Sequence, residues 1–207
     1  MSRRYFVTGI GTSVGKTIAC AALVKLWDAA YWKPIQSGDL ESSDSMMMSS
    51  LLNNQVVIYP ERYKLNTAAS PHYSAELDQV SIELNDFKLP DDNGNLIVEG
   101  AGGMFVPIND KEFIIDLAEH LDLPIILVCS DYLGSINHSL LSFHSLEERG
   151  VAVEYIFLNG SFKESTKRIL IKNKPKGSKV IEFPELEDIS SIGLDKAMKN
   201  LKIHDGN

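Results

Sequence analysis

The chain has 207 residues, 44% of them hydrophobic, with 20 Lys+Arg against 28 Asp+Glu and a formal net charge of −8. That length supports one sizeable core, so a single domain over residues 1–207 is expected. The acidic field argues against general nucleic-acid binding, which needs a basic face. The two distant cysteines, Cys20 and Cys129, argue against a disulfide framework, a zinc knuckle or an iron–sulfur cluster.

No apolar run approaches the roughly 18–20 residues of a membrane span. Behind the opening Met-Ser-Arg-Arg, the apolar stretch Tyr5-Phe6-Val7 stops at Thr8-Gly9, short of a signal-peptide core of about 7–15 residues. A cytoplasmic chain without membrane or nucleic-acid partners is the expectation.

In chain order, Tyr5–Gly9 reads as a buried strand, followed by a glycine-rich turn and a helix over Thr17–Ala30. The stretches Asp39–Ser50 and Asp91–Asn95 are polar and read as loops or helix starts. Leu96–Glu99 is a second strand, and the unbroken apolar run Pro124–Cys129 reads as a strand covered on both faces. Ser135–Arg149 reads as a helix stopped by Gly150, Val153–Leu158 as a strand, and Lys179–Phe183 as a last short strand before Pro184. A helix near Leu194–Leu201 leads into a polar tail. Strand and helix in alternation predict an α/β fold with one doubly wound, mostly parallel sheet and helices on both faces.

In such a sheet, ligands sit beyond the carboxyl ends of the strands, and here those ends carry unusual residues. The first is Gly9-Ile10-Gly11-Thr12-Ser13-Val14-Gly15-Lys16-Thr17. Glycines let successive N–H groups turn inward onto phosphate oxygens, and the following helix aims its positive end at the same place. Lys16 would reach the β- and γ-phosphates and the Thr17 hydroxyl would bind Mg²⁺. The spacing is G-x5-G-K-T, one residue longer than the usual phosphate loop. Further strand ends carry Lys33-Pro34-Ile35-Gln36-Ser37-Gly38, Glu99-Gly100-Ala101-Gly102-Gly103, Asp131-Tyr132-Leu133-Gly134 and Asn159-Gly160.

Together these segments resemble the dethiobiotin synthetase family. The match runs through Arg4–Gly9 with its long loop, Lys33-Pro34-x-x-Ser37-Gly38, Ser43-Asp44, Ser70-Pro71-His72, Val98-Glu99-Gly100-Ala101-Gly102-Gly103, Leu133-Gly134-Ser135-Ile136-Asn137-His138 and Asn159, about three quarters of the chain. The resemblance implies a P-loop ligase that takes 7,8-diaminopelargonate, CO₂ or bicarbonate and ATP to dethiobiotin, ADP and phosphate. The route runs through an N-carbamate and a carbamic–phosphoric anhydride.

On that resemblance Lys33 and Lys16 flank the transferring group, while Thr12 and Ser37 hydrogen-bond the carbamate or substrate nitrogens. Taken alone, Lys33 would be a surface lysine and Thr12 and Ser37 would be turn residues. Mg²⁺ keeps several waters and needs few protein oxygens; Thr17, Asp44 and Glu99 fit. Asp44 also reads as the cap of a helix over Ser45–Leu52. Glu99, between Leu96-Ile97-Val98 and four small residues, would be poorly solvated without a cation or donors facing it.

The nucleotide would also meet Ser13, Val14, Gly15, Ile18, Gly100, Ala101 and Gly102. Asn159 and Gly160 would read the adenine, although Asn-Gly is equally an ordinary turn. Pro184, Glu185 and Leu186 would wrap the base. Gly134, Ser135, Ile136 and Asn137 of a second subunit would hold the substrate carboxylate at their helix N-terminus, making a shared-site homodimer; Ser135 as a plain helix cap is the alternative. His72 and His138 read as structural or interfacial.

The chain departs from the family pattern in places. No glycine turn precedes Trp32-Lys33, which predicts a shortened second strand. Gly11 and Ser13 stand where many relatives have Asp and Glu, and Tyr132 where a Lys is common. Two rival classes share such a loop. Amide-forming cobyrinate-type synthetases carry a glutaminase domain for which 207 residues leave no space. Partition or septum-site ATPases use a second loop lysine, absent here.

Overall fold

The computed structural model describes residues 2–91 and 93–205. Positions 1, 206 and 207, and position 92 within the polar stretch 91–95, lie outside the described residues.

Strand β1 (Arg4–Gly9) leads through the glycine loop into helix α1 (Lys16–Trp27). β2 (Ala30–Trp32), β3 (Ile35–Ser37), α2 (Asp44–Leu51), β4 (Ile58–Tyr59), β5 (Tyr63–Leu65) and α3 (Pro71–Leu77) follow. Then come β6 (Leu96–Gly103), α4 (Ile114–His120), β7 (Ile125–Cys129), α5 (Ser135–Glu148), β8 (Val153–Asn159), α6 (Glu164–Asn173), β9 (Lys179–Phe183), α7 (Ser191–Met198) and β10 (Lys202–His204).

Eight strands form one sheet in the order β10-β9-β8-β7-β1-β6-β2-β4, and β3 pairs with β5 in a separate two-stranded parallel sheet. All pairings in the large sheet are parallel except β10 against β9. The order carries the chain from β1 past β6 to β2, and from β6 past β1 to β7 and on to β8 and β9; with the right-handed crossovers that parallel strands require, α1 falls on one face and α4, α5 and α6 on the other. The runs of β1, β6 and β7 are buried because both faces are covered. β1 lies between β6 and β7, and the connections from β1 to β2 and from β6 to β7 run in opposite directions across the sheet, so the carboxyl end of β1 is at the switch point where a cleft opens.

The boundaries differ from the sequence reading at informative places. The helix expected over Thr17–Ala30 ends at Trp27, and residues 30–32 are strand. Helix-favouring Ala29-Ala30 yields to sheet pairing, Ala30 opposite Leu96 and Tyr31 N–H donating to Val57. The missing glycine is replaced by Asp28, which takes the left-handed conformation at φ 49° and donates its N–H to the Val24 carbonyl. Asn95 closes the same corner, its amide donating to Trp27 O at 2.6 Å and accepting from Arg3 N–H at 2.8 Å. The second strand is short, as expected, and still delivers Lys33 into the interior, 4% exposed.

β6 continues past Glu99 to Gly103. The stretch Asp39–Ser50 contains a 3₁₀ turn and most of α2. The last helix starts earlier, capped by Ser190 accepting from Gly193 N–H, so residues 202–204 are an edge strand and not a polar tail. Cys20 and Cys129 are buried and unbridged. Among the described residues no helix is long and apolar enough to cross a membrane.

The corner at Asp28 carries a stability prediction. Asp28→Val, a β-branched side chain forced to a left-handed φ, should lower unfolding free energy by about 1–2 kcal/mol in urea titrations, whereas Asp28→Gly should not lower it.

Candidate active site

The carboxyl ends of β1, β2, β3 and β6 surround a cleft of about 630 Å³. The phosphate loop forms one wall. Gly15 sits at φ 82°, and a Cβ there would lie 2.1 Å from the Asn159 amide nitrogen, so both backbone and space require glycine. Lys16, the first residue of α1, is buried, and its ammonium donates to Gly11 O at 3.3 Å. Burial pulls its pKa below the ordinary lysine value and the neighbouring Lys33 charge adds to this, opposed by Glu99.

Opposite stands a connected cluster of charges. Lys33 Nζ lies 2.6 Å from Asp44 Oδ2 and 3.0 Å from Glu99 Oε1, and donates to Gly100 O at 3.3 Å. The Thr17 hydroxyl lies 2.9 Å from Asp44 Oδ1 and 3.0 Å from Glu99 Oε1. The other oxygen of Glu99 accepts from the Tyr31 hydroxyl at 2.8 Å. Burial works to neutralise Lys33, but the two carboxylates overcome it and hold the ammonium well above the usual lysine range. Burial likewise pushes Asp44 up, and Lys33 with Thr17 brings it below the usual carboxylate range. At Tyr31, burial and the Glu99 charge drive the phenol pKa well up.

Asp44 is not the helix cap. Ser43 caps α2 by accepting from Met46 N–H, which leaves the Asp44 carboxylate for Lys33 and Thr17. Gln36 holds the turn from beneath: its amide donates to Gly38 O at 3.0 Å and accepts from Asp44 N–H at 3.3 Å. The Ser37 hydroxyl is buried at the cleft wall without a hydrogen-bond partner among the described residues.

Of the residues singled out from sequence, the cleft gathers Thr12, Ser13, Gly15, Lys16, Thr17, Lys33, Ser37, Asp44, Glu99, Ala101 and Gly102. Val14, Ile18, Gly100, Asn159 and Gly160 stand outside its lining. The Val14 carbonyl receives the Asn159 amide at 3.0 Å, which ties the end of β8 to the phosphate loop. Pro184 and Glu185 line a separate pocket of about 200 Å³, and Leu186 packs against the core.

Gly134, Ser135 and Ile136 line a third pocket, of about 600 Å³, to which Asn137 does not contribute. Gly134 at φ 101° caps α5 in place of Ser135. Tyr132 and His138 are hydrogen-bonded at 2.7 Å.

Sequence reasoning gave no role to Gln36 or Tyr31 and did not single out Ala68 and Ala69; Ser70 and Pro71, from the matched Ser70-Pro71-His72 segment, complete the same wall. Tyr31 had a signal: in an extended segment residues two apart share a face, so Tyr31 accompanies Lys33.

Among the described residues, no group of three or more His, Cys, Asp or Glu is arranged to hold a metal. Two carboxylates, each with an oxygen within 3.0 Å of the Thr17 hydroxyl, do suit a hard cation that retains most of its waters.

Fold and loop together define a P-loop nucleoside triphosphatase. Among solved structures, a ParA family ATPase from Chlorobium tepidum TLS superposes with a TM-score of 0.54 over 96% of this chain and 91% of its own, at 15% identity. MinD from Aquifex aeolicus gives 0.52 over 95% and 93%, at 16% identity. A family model described as an AAA domain matches residues 3–192.

Curated relatives narrow the class. The ATP-dependent dethiobiotin synthetase BioD of Christiangramia forsetii is 44% identical over 173 residues, 83% of each chain. Those of Cytophaga hutchinsonii and Brucella ovis are 45% identical over 83% of this chain and 84% of theirs, and 39% identical over 99% and 97%. The chain belongs to the dethiobiotin synthetase family of ATP-dependent ligases.

The crowding at Gly15 yields a test. Gly15→Ala strains the loop by about 1–3 kcal/mol, and calorimetry should show ATP affinity reduced by about tenfold or more.

Proposed function

We propose that this chain, acting as one unit over residues 1–207 in the cytoplasm, converts 7,8-diaminopelargonate, CO₂ and ATP into dethiobiotin, ADP and phosphate. The observation that carries the reading is the convergence of Lys16, Lys33 and the Thr17–Asp44–Glu99 oxygens on one cleft. One substrate amine adds to CO₂ and loses a proton, giving a carbamate. A carbamate oxygen attacks the γ-phosphorus, the bond to the β-phosphate oxygen breaks, and ADP leaves. The second amine attacks the anhydride carbon, and phosphate departs with the former carbamate oxygen as the ring closes.

The residues meet the electrostatic demands of these steps. Lys16 and the loop N–H groups hold the polyphosphate, and the low-dielectric site strengthens each contact. Lys33 stabilises charge on the carbamate and the moving phosphoryl group once Asp44 and Glu99 are otherwise engaged. The unpaired Ser37 hydroxyl and Thr12 supply hydrogen bonds for the carbamate and amines. Thr17, Asp44 and Glu99 would hold Mg²⁺, whose charge neutralises the phosphate oxygens when bound.

Asn159, Gly160 and residues 184–186 form the base side. The 134–137 segment of a second copy takes the substrate carboxylate in a homodimer. The fully exposed Leu133 and the partly exposed Tyr132 and Ile136 beside it support that interface.

Purified protein should release phosphate from Mg-ATP only when the diamine and bicarbonate are present, with a cyclic urea as product by mass spectrometry. ATP hydrolysis at one rate with and without the diamine would refute the assignment. Lys33→Ala should lower turnover on the order of 100-fold, with ATP affinity by calorimetry little changed; near-parental turnover would remove Lys33 from the chemistry.

A further inference from the structure

We propose that Tyr31 is a positioning residue for Glu99, its phenol fixing one carboxylate oxygen so that the other faces Thr17 and the cation side of the cleft. The inference rests on the reading of Glu99 as a metal-holding carboxylate. Tyr31 is fully buried and Glu99 is 1% exposed, so neither side chain has water as an alternative partner. Tyr31 OH donates to Oε2 at 2.8 Å, while Oε1 faces both the Thr17 hydroxyl and the Lys33 ammonium, each at 3.0 Å. The carboxylate is thereby divided between a structural oxygen and a working one.

The β2–β6 register holds the donor in place, with Tyr31 opposite Ile97 and Trp32 opposite Val98, directly before Glu99. Without the hydroxyl, Oε2 becomes a buried acceptor lacking its donor, and the carboxylate can turn both oxygens onto Lys33. Partners of this kind orient metal-holding groups, and their loss costs about 10–100-fold in metal affinity or activity.

Mn²⁺ binding to the ADP-loaded protein, read from the electron-paramagnetic signal of the free ion, separates the possibilities. Glu99→Gln and Tyr31→Phe should each weaken Mn²⁺ about 10-fold or more. Tyr31→Phe should do so while leaving the unfolding midpoint of the metal-free protein within a few degrees. Parental Mn²⁺ affinity in Tyr31→Phe alongside a loss in Glu99→Gln overturns the positioning role alone. Parental affinity in Glu99→Gln overturns the metal reading and this inference with it. If Tyr31→Phe does not fold, fluorotyrosines of graded acidity installed at position 31 replace it. Mn²⁺ affinity should then change progressively with phenol acidity, and a flat series overturns the proposal.

Discussion

A single buried carboxylate organises the site. Glu99 sits in an interior strand between β1 and β2, where an unpaired charge would be strongly destabilising. Its partners come from separate parts of the chain: Thr17 from the start of α1, Tyr31 from β2, and Lys33 from the turn after β2. Lys33 passes the connection to Asp44 at the head of α2. Satisfying this one charge fixes the phosphate loop, the second strand and the second helix in a common geometry. The arrangement that suits phosphoryl chemistry is therefore also an arrangement the folded chain needs for its own polar groups.

The two cleft lysines have opposite electrostatic histories. Lys33 is saturated by two carboxylates, and its ammonium is held strongly charged. Lys16 is almost as buried, yet among the described residues its ammonium donates to a backbone carbonyl and to no carboxylate, and burial pulls its pKa down. A desolvated ammonium with so little compensation is a strong attractor for an incoming anion, because phosphate would supply the missing partner. In a chain with a net charge of −8, this local contrast aims anions at the loop while the surrounding field remains acidic.

The sequence made some of this legible. The phosphate loop was readable because its backbone demands glycine at particular places, as Gly15 with its positive φ and its contact to Asn159 bears out. β7 was readable because a strand covered on both faces needs an unbroken apolar run. A short strand before Lys33 was expected, but its start was hidden because Ala29 and Ala30 favour helix locally and pairing with Leu96 and Val57 overrides that preference. An aspartate doing a glycine's work at position 28 concealed the helix end. At the site, residues of unmistakable chemistry such as Lys33 and Glu99 stood out. Tyr31 did not, since an aromatic in a strand reads as core until its hydroxyl is seen to have a charged partner. The cap of α2 shows the limit of local pattern: Ser43 and Asp44 are both good caps, and the tertiary demand of Lys33 and Thr17 leaves the cap to Ser43.

The solved neighbours share the sheet at 15–16% identity, so the sheet and its loop do not by themselves choose a reaction. What completes the cleft here is the small β3–β5 sheet, which lies apart from the main one. Its parallel pairing carries Ser37 to the cleft edge, and the chain beyond β5 returns along it through Ala68, Ala69, Ser70 and Pro71. The two segments touch backbone to backbone: a Cβ on Gly38 would lie 2.3 Å from Ala68 Cα. That contact excludes any side chain at Gly38, so the cleft is bounded by the glycine loop of the large sheet on one side and by segments of the small sheet on another. In the proposed reaction the carbamate would meet both sheets at once, the unpartnered Ser37 hydroxyl coming from the small sheet and the carboxylate-held Lys33 ammonium from the turn after β2 of the large one.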